Sequence, residues 1–278
     1  MSKVPSLTLN NGVAMPQLGF GVWQVPDDEA AKVVATAIES GYRSIDTAAI
    51  YQNESGTGRA VAASGVAREE LFVTTKLWNQ DQGYDSTLRA FDASLDKLGL
   101  DYVDLYLIHW PVPAKNAYVD TYKALEKIYS DGRAKAIGVS NFLPEHLERL
   151  LGETSVVPVI NQIELHPQLQ QAESRAFHAK HGIATEAWSP LGQGKGLLEV
   201  PTVVAIARKH NRTPAQVLLR WHIQTGHVVI PKSVTPSRIV ENLDVFGFEL
   251  DADDLAAFAA LDEGKRIGPN PGEFNSGA

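Results

Sequence analysis

Eight short apolar runs, each followed by a longer stretch of helical spacing, leave few folds open to this chain. The strand-like runs are LGFGVW (18–23), RSID (43–46), LFVTTKL (71–77), VDLYLIHW (103–110), AKAIGVS (134–140), VVPVINQIEL (156–165), IATEAW (183–188) and HVVIPKS (227–233). Between them, segments such as DDEAAKVVATAIESG, DSTLRAFDASLDKLGL, AYVDTYKALEKIYSDG and PAQVLLRWHIQTG repeat their apolar residues every three or four positions, and several end in Gly, as helix C-termini often do. Strand–helix alternation implies a parallel sheet, and eight repeats are what a closed (β/α)8 TIM barrel requires. Before the first repeat, the turn signal Asn10-Asn11-Gly12 between two short apolar stretches predicts an N-terminal β-hairpin. No linker, low-complexity tract or charge block divides the 278 residues, so one barrel domain is expected over residues 1–278.

A doubly wound open sheet is the competing arrangement, and two features oppose it. Gly19-Phe20-Gly21 lacks the third glycine of a dinucleotide-binding GxGxxG turn and leads into Val22-Trp23. Chemically capable residues also end many of the strands: Asp46, Lys76, His109, Ser140 with Asn141, Gln162 with Glu164, Trp188 with Ser189, and Lys232 with Ser233. A barrel collects those ends at one mouth, where sites of this fold form.

Composition removes whole classes of function. With no cysteine there is no disulfide framework, thiol nucleophile or thiolate metal site, which fits a reducing compartment. A net charge of −8 argues against a general nucleic-acid surface, so any anionic ligand needs local cations. No secretory apolar core or run of about 18 apolar residues is seen, and a cytoplasmic protein without membrane contact is expected. His178 and His181, three apart on a predicted helix, lack a third ligand; they read as a solvated helix end, and no metal is expected.

Asp46, Lys76 and His109 end consecutive strands, and Tyr51 follows Asp46 by five residues. A phenol titrates near 10 and is a poor acid at neutral pH unless adjacent positive charge favours its phenolate. Lys76 supplies such a charge, Asp46 holds the lysine ionised, and His109 can orient a substrate oxygen or join a proton relay. Singly, each has a structural explanation. Together they match a site that polarises and protonates a carbonyl.

GYRSIDTAAIYQNE, FVTTKLW, LIHWP, IGVSNF, NQIELHP and IPKSVTPSRIVENL, spread over most of the chain, resemble the aldo-keto reductase superfamily, and among its members the bacterial 2,5-diketo-D-gluconate reductases. The resemblance implies a (β/α)8 barrel, NADPH/NADP+ as cofactor, and reversible reduction of a small-molecule carbonyl substrate: an aldehyde, diketone or keto sugar. It assigns Tyr51 as general acid, Lys76 and Asp46 as its tuning pair, and His109 as the substrate-orienting residue. It also implies a monomer.

For the cofactor, an indole face at Trp188 can stack on a nicotinamide ring, where the family more often has tyrosine. Ser140, Asn141 and Gln162 match the positions that hydrogen-bond the ring's carboxamide. The run from Leu191 to Gly196, with Gln193 and Gly194 and preceded by Ser189, is glycine-rich and could close over a pyrophosphate. In PKSVTPSRIVENL, Lys232, Ser233, Val234, Thr235 and Arg238 surround the start of a predicted helix with two cations and two hydroxyls, which suits a phosphate ester, here the 2′-phosphate of NADPH. Glu241 and Asn242 match family contacts to the adenine. Trp23 and Trp110 match substrate-pocket positions; Ile50 and Trp78 are further candidates, and the Gly/Pro/Asn-rich segment 267–278 is expected to border an open mouth. Thr57 replaces an aliphatic residue usual after Glu54 in the family, a change expected to touch helix packing. Two other readings compete: a barrel that binds cofactor but turns over slowly, disfavoured by the intact tetrad, and a metal-dependent hydrolase, whose ligands are missing.

Overall fold

The structure, a computed structural model, describes residues 4–277. Strands β1 (Ser6–Thr8) and β2 (Ala14–Pro16) form the expected antiparallel hairpin. Then come β3 (Phe20–Gly21), α1 (Asp27–Ser40), β4 (Ser44–Asp46), α2 (Glu54–Ala63), β5 (Phe72–Leu77), α3 (Tyr84–Leu98), β6 (Leu105–Ile108) and α4 (Tyr118–Ser130). The second half runs β7 (Ile137–Ser140), α5 (Pro144–Glu153), β8 (Ile160–Glu164), α6 (Ala172–His181), β9 (Ala184–Trp188), α7 (Pro201–Lys209), α8 (Pro214–Gln224), β10 (Val228–Val229), α9 (Pro236–Leu243) and α10 (Ala252–Ala259).

Strands β3 to β10 lie side by side in chain order, all parallel. The sheet closes on itself. Val229 N–H donates to Gln17 O at 3.0 Å, Gly19 N–H to Val229 O at 2.9 Å and Gly21 N–H to Pro231 O at 3.1 Å, so first and last strands share a ladder. The (β/α)8 barrel is therefore as expected, while several strands are shorter than their apolar runs. Only Phe20–Gly21 and Val228–Val229 remain of the first and last runs. Pro158 and Pro231 lack an N–H to donate, which delays the start of β8 and ends β10 early.

Helix ends follow their glycines. Gly41 takes φ 116° after α1 and Gly99 φ 64° after α3, a left-handed turn that an L side chain resists. The hairpin seals the N-terminal end of the barrel: Leu9 and Met15 pack with Phe72, Leu105, Leu107, Ile160 and Val228. The opposite end is left as the mouth.

Helix α2 sits closer to its neighbours than side chains allow. A Cβ at Gly58 would stand 2.0 Å from Leu98 O, and one at Gly56 2.2 Å from Asp27 O. Between these glycines Thr57 is fully buried with its Oγ1 unpartnered among the described residues, so the polar atom adds no bond where an aliphatic side chain would pack. Gly58→Ala is expected to lower stability by about 1–3 kcal/mol or more through this overpacking. The check is a fall in the urea midpoint at constant slope; an unchanged midpoint rejects the contact as a constraint.

Candidate active site

Side chains two apart on a strand face the same way. On β8 and β9 this sets Gln162 and Glu164 on one face and Glu186 and Trp188 on one face, with Gln162 in register with Glu186 and Glu164 with Trp188. The pairs form two levels, one deep in the barrel and one at its mouth.

The deep level is charged. Lys76 is fully buried, and its Nζ donates to Asp46 Oδ1 at 2.5 Å and to Thr47 O at 3.0 Å. Gln162 Nε2 donates to Asp46 Oδ2 and to Glu186 Oε2, both at 2.9 Å. Tyr51 closes a short 3-10 turn (Ala49–Tyr51) ended by Gln52 at φ 56°. Asn53 holds that turn: Thr47 Oγ1 donates to its Oδ1 at 2.7 Å, and its Nδ2 donates to Val22 O and Val25 O, each at 2.8 Å. Lys76 Nζ then lies 5.1 Å from the Tyr51 ring centre. His109, on the loop after β6, stands edge-on to Tyr51 at 5.6 Å and to Trp78 at 5.4 Å between ring centres.

Burial works against the Lys76 ammonium, but Asp46 foremost, then Tyr51 and Glu186, outweigh it and hold the lysine above its ordinary value. It stays charged. For Tyr51 the balance differs from the expectation: burial pushes the phenol up, Lys76 pulls it back only in part, and Asp46 and Glu186 push up again. The net shift is upward, because enclosure of a phenolate costs more than one ammonium, itself neutralised by Asp46, returns. Burial and then Lys76 hold His109 well below its ordinary value, so its imidazole is neutral. Its Nδ1 has no partner among the described residues.

Above this level a groove of about 1220 Å³ spans the mouth. It exceeds the roughly 300–1,000 Å³ of ordinary small-ligand pockets, as an extended ligand needs. Of the residues singled out in the sequence, Tyr51, His109, Asn141, Gln162, Trp188, Ser189, Leu191, Gln193 and Gly194 line it, with Lys232, Ser233, Arg238, Glu241 and Asn242 at one end and Trp23, Ile50, Trp78 and Trp110 at the other. Asp46 and Lys76 lie beneath its floor. Ser140, Val234 and Thr235 do not line it. The Ser140 hydroxyl is spent inside the wall, donating to Gln162 O at 2.8 Å and accepting from Asn141 Nδ2 at 3.1 Å, and Thr235 N–H is turned to Ser233 Oγ at 3.1 Å. Asn141, in left-handed conformation (φ 64°), accepts from Trp188 Nε1 at 2.8 Å and so fixes the indole.

In the loop after β9 the backbone switches from Leu191 at φ −104° to three successive left-handed residues, Gly192 at 70°, Gln193 at 52° and Gly194 at 71°, and such a right-to-left switch can turn successive N–H groups toward an anion. Among the described residues neither Lys232 nor Arg238 has a carboxylate within 4.0 Å. Thr213, Pro214 and Ala215, at the start of α8, also line this end, and Thr213 Oγ1 donates to Glu241 Oε1 at 2.8 Å. Nothing local in the sequence marks them. Glu186 could have been found by counting two residues back from Trp188.

The C-terminal segment is more than a border. Ile267 and Gly268 N–H donate to Glu164 at 2.6 and 2.9 Å, Phe274 packs on Trp110 at 4.4 Å between ring centres, and Asn79 Nδ2 donates to Ser276 O at 2.8 Å. The mouth is strapped on one side. His178 also departs from the reading as a solvated helix end. It is fully buried, with Nε2 at 2.9 Å from Asn161 Nδ2 and Nδ1 at 2.9 Å from Thr185 Oγ1, and burial lowers it to about 4. His181 stacks on Phe177 at 4.3 Å.

The barrel and its groove suit an enzyme class that reduces carbonyl groups, and the relatives belong to such a class. The chain matches the Aldo/keto reductase family over residues 15–263 and belongs to it. It is 60% identical over 271 residues, covering 98% of each chain, to an aldo-keto reductase of Mycolicibacterium smegmatis, and 54% identical over 270 residues, covering 97% of each, to the glyoxal reductase of Bacillus subtilis. Among solved structures it resembles a mutant of Gox0644 in complex with NADPH, with a TM-score of 0.94 at 52% identity over 98% of this chain and 99% of that one.

A Cβ on Gly268 would meet Trp188 Cη2 at 2.5 Å and Glu164 Oε2 at 3.2 Å. Gly268→Ala is therefore expected to lift the strap off the indole and to cost about 1–3 kcal/mol. Faster proteolytic trimming of the C-terminus with a lower melting temperature is the expected result; trimming and melting like the parent's would refute the contact.

Proposed function

We propose that this chain is an NADPH-dependent oxidoreductase that reduces small aldehydes and ketones to alcohols, with Tyr51 as the proton donor. One observation carries the reading: a single groove joins the Tyr51 phenol, backed by a buried ammonium, to two cations, Lys232 and Arg238, that have no carboxylate within 4.0 Å among the described residues. The residues present fit the cofactor. Lys232 and Arg238 would hold its 2′-phosphate, the turn at Leu191–Gly194 its pyrophosphate, Glu241 and Asn242 its adenine, and Trp188 with Asn141 and Gln162 its nicotinamide. When bound, NADPH supplies the hydride that becomes the new C–H bond.

Tyr51 gives its O–H proton to the carbonyl oxygen as negative charge gathers there. Lys76 stabilises the phenolate that remains, and Asp46 keeps the lysine charged. His109, neutral and with Nδ1 enclosed, presents its other nitrogen to the substrate oxygen and orients it. Trp23, Trp78 and Trp110 wall the mouth and keep water from the reacting carbon. The glyoxal reductase relative and the aromatic walls of the mouth favour small aldehydes and dicarbonyls as substrates, with keto sugars as a larger alternative. In this reading the enzyme acts as a single-domain cytoplasmic monomer: the sheet closes on itself, no cysteine calls for an oxidising compartment, and among the described residues no helix is long and apolar enough to cross a membrane. The acidic surface, at net −8, gives nucleic acid no footing.

Two substitutions test the two halves. Tyr51→Phe is expected to reduce turnover of NADPH with glyoxal or methylglyoxal by roughly 10² to 10⁴-fold, since only the transferable proton is lost, while NADPH still quenches tryptophan fluorescence at parental concentrations. Parental turnover removes Tyr51 as the acid. Arg238→Ala is expected to weaken NADPH about 10 to 100-fold, the worth of roughly 1.5–3 kcal/mol in charged hydrogen bonds, and to leave NADH unaffected. An unchanged preference between the two cofactors rejects the phosphate assignment.

A further inference from the structure

The charged floor of the barrel holds one more acid than its function has used. Glu186 is fully buried, shares the Gln162 amide nitrogen with Asp46, and leaves its Oε1 with no partner among the described residues. The groups facing it are Asp46 on β4, Lys76 on β5, Gln162 on β8 and the Tyr51 phenol; its register neighbour on β10 is Val228, which carries no charge. One ammonium thus serves two carboxyl groups in a fully enclosed space. Two carboxylates in such a space cannot both ionise cheaply, and the one bonded directly to the ammonium keeps the charge. Asp46, at 2.5 Å from Lys76 Nζ, is that one.

We propose that Glu186 is a positioning residue of the reductase site that carries its proton in the working enzyme and, through Gln162 and Asp46, sets the net charge beneath Tyr51. The inference rests on the reading of Tyr51 as the acid. With Glu186 neutral, the floor holds one positive and one negative group. Loss of its proton adds a second negative charge, which makes the phenol a weaker acid and lowers carbonyl reduction. Glu186 has a second effect: by accepting from Gln162 Nε2 alongside Asp46, it fixes the amide with nitrogen inward and its oxygen toward the groove. Burial, then Asp46, push the Glu186 carboxyl up to about 8, with Gln162 and Lys76 opposing.

A carboxyl that titrates at about 4.5 when unfolded and about 8 when folded favours the native state below the first value, and loses that contribution as pH rises to the second. Glu186→Gln, which cannot ionise, should therefore gain stability relative to the parent progressively between about pH 4.5 and about 8, and then hold a constant difference. Urea unfolding of the full chain without cofactor reads this directly, and a difference that does not change with pH overturns the proposed proton. The second readout is kcat against pH with NADPH and glyoxal. The parent should lose activity as pH rises through about 8, and Glu186→Gln should lack that limb. Identical profiles overturn the coupling to Tyr51. If Glu186→Gln does not fold, Glu186→Leu, of similar bulk and without an ionisable group, is read in both assays. The two readings fail separately: turnover by Tyr51→Phe at parental rates removes the acid assignment and leaves the unfolding curves as they are, whereas flat unfolding differences remove the Glu186 proton whatever Tyr51 does.

Discussion

An ammonium with no exposure to solvent sits at the centre of this barrel, and its ion pair with Asp46 is the interaction on which the rest of the structure depends. Burying either charge alone costs several kcal/mol after relaxation, so each is tolerable only with the other in place and with the remaining donors satisfied. Thr47 O takes a second proton of Lys76, and Gln162 covers the far oxygen of Asp46. That geometry needs adjacent strands in fixed register, with Asp46 beside Thr74 and Lys76 two residues further along the same strand. A closed parallel barrel supplies it. The strand order is in this sense dictated from inside as well as by the helices packed outside.

The eight-fold alternation was legible because its signal is periodic and long, and the barrel placed Asp46, Tyr51, Lys76 and His109 together because strand ends converge by geometry. What could not be read is whatever depends on enclosure. Lys76 does lower the Tyr51 phenol, as charge alone suggests, yet the walls around the phenol outweigh it, and no local pattern in the sequence reports wall thickness. Ser140 matches a family position for the nicotinamide carboxamide, and its strand-end place does not reveal that its hydroxyl already bonds Gln162 O in the barrel wall. His178 has the spacing of an exposed helix face and lies under β8 and β9, where Asn161 and Thr185 take both ring nitrogens. For β8 and β10 the strand ends are set by Pro158 and Pro231, whose missing donor limits pairing even where the apolar run continues.

Charge is divided along the groove. The chain is acidic overall, and at one end of the groove Lys232 and Arg238 stand clear of every carboxylate among the described residues, while at the other the walls are four tryptophan and isoleucine side chains. A ligand with an anionic tail and a small carbonyl partner is oriented by that contrast before any specific bond forms. The turn between the two ends relies on Gly192 and Gly194 at positive φ, and on Gln193 held there by its bond to Ser189 Oγ. Conformation and charge therefore select the same direction of binding.

The two levels of β8 and β9 separate tasks that would otherwise interfere. At the deep level Gln162 and Glu186 balance the charge under Tyr51; at the mouth Glu164 and Trp188 receive the strap. Burial alone would raise the Glu164 carboxyl, but His166 and the Ile267 and Gly268 amides together bring it below its ordinary value, so it stays a carboxylate and an acceptor. Glu186, two strand positions deeper, lacks such donors and is pushed the opposite way. The same residue type on neighbouring strands thus serves as a fixed negative anchor at the mouth and as a proton store below it. The difference is made by the number of N–H groups each can reach, since a carboxylate with several donors is cheap to bury and one with a single donor is not.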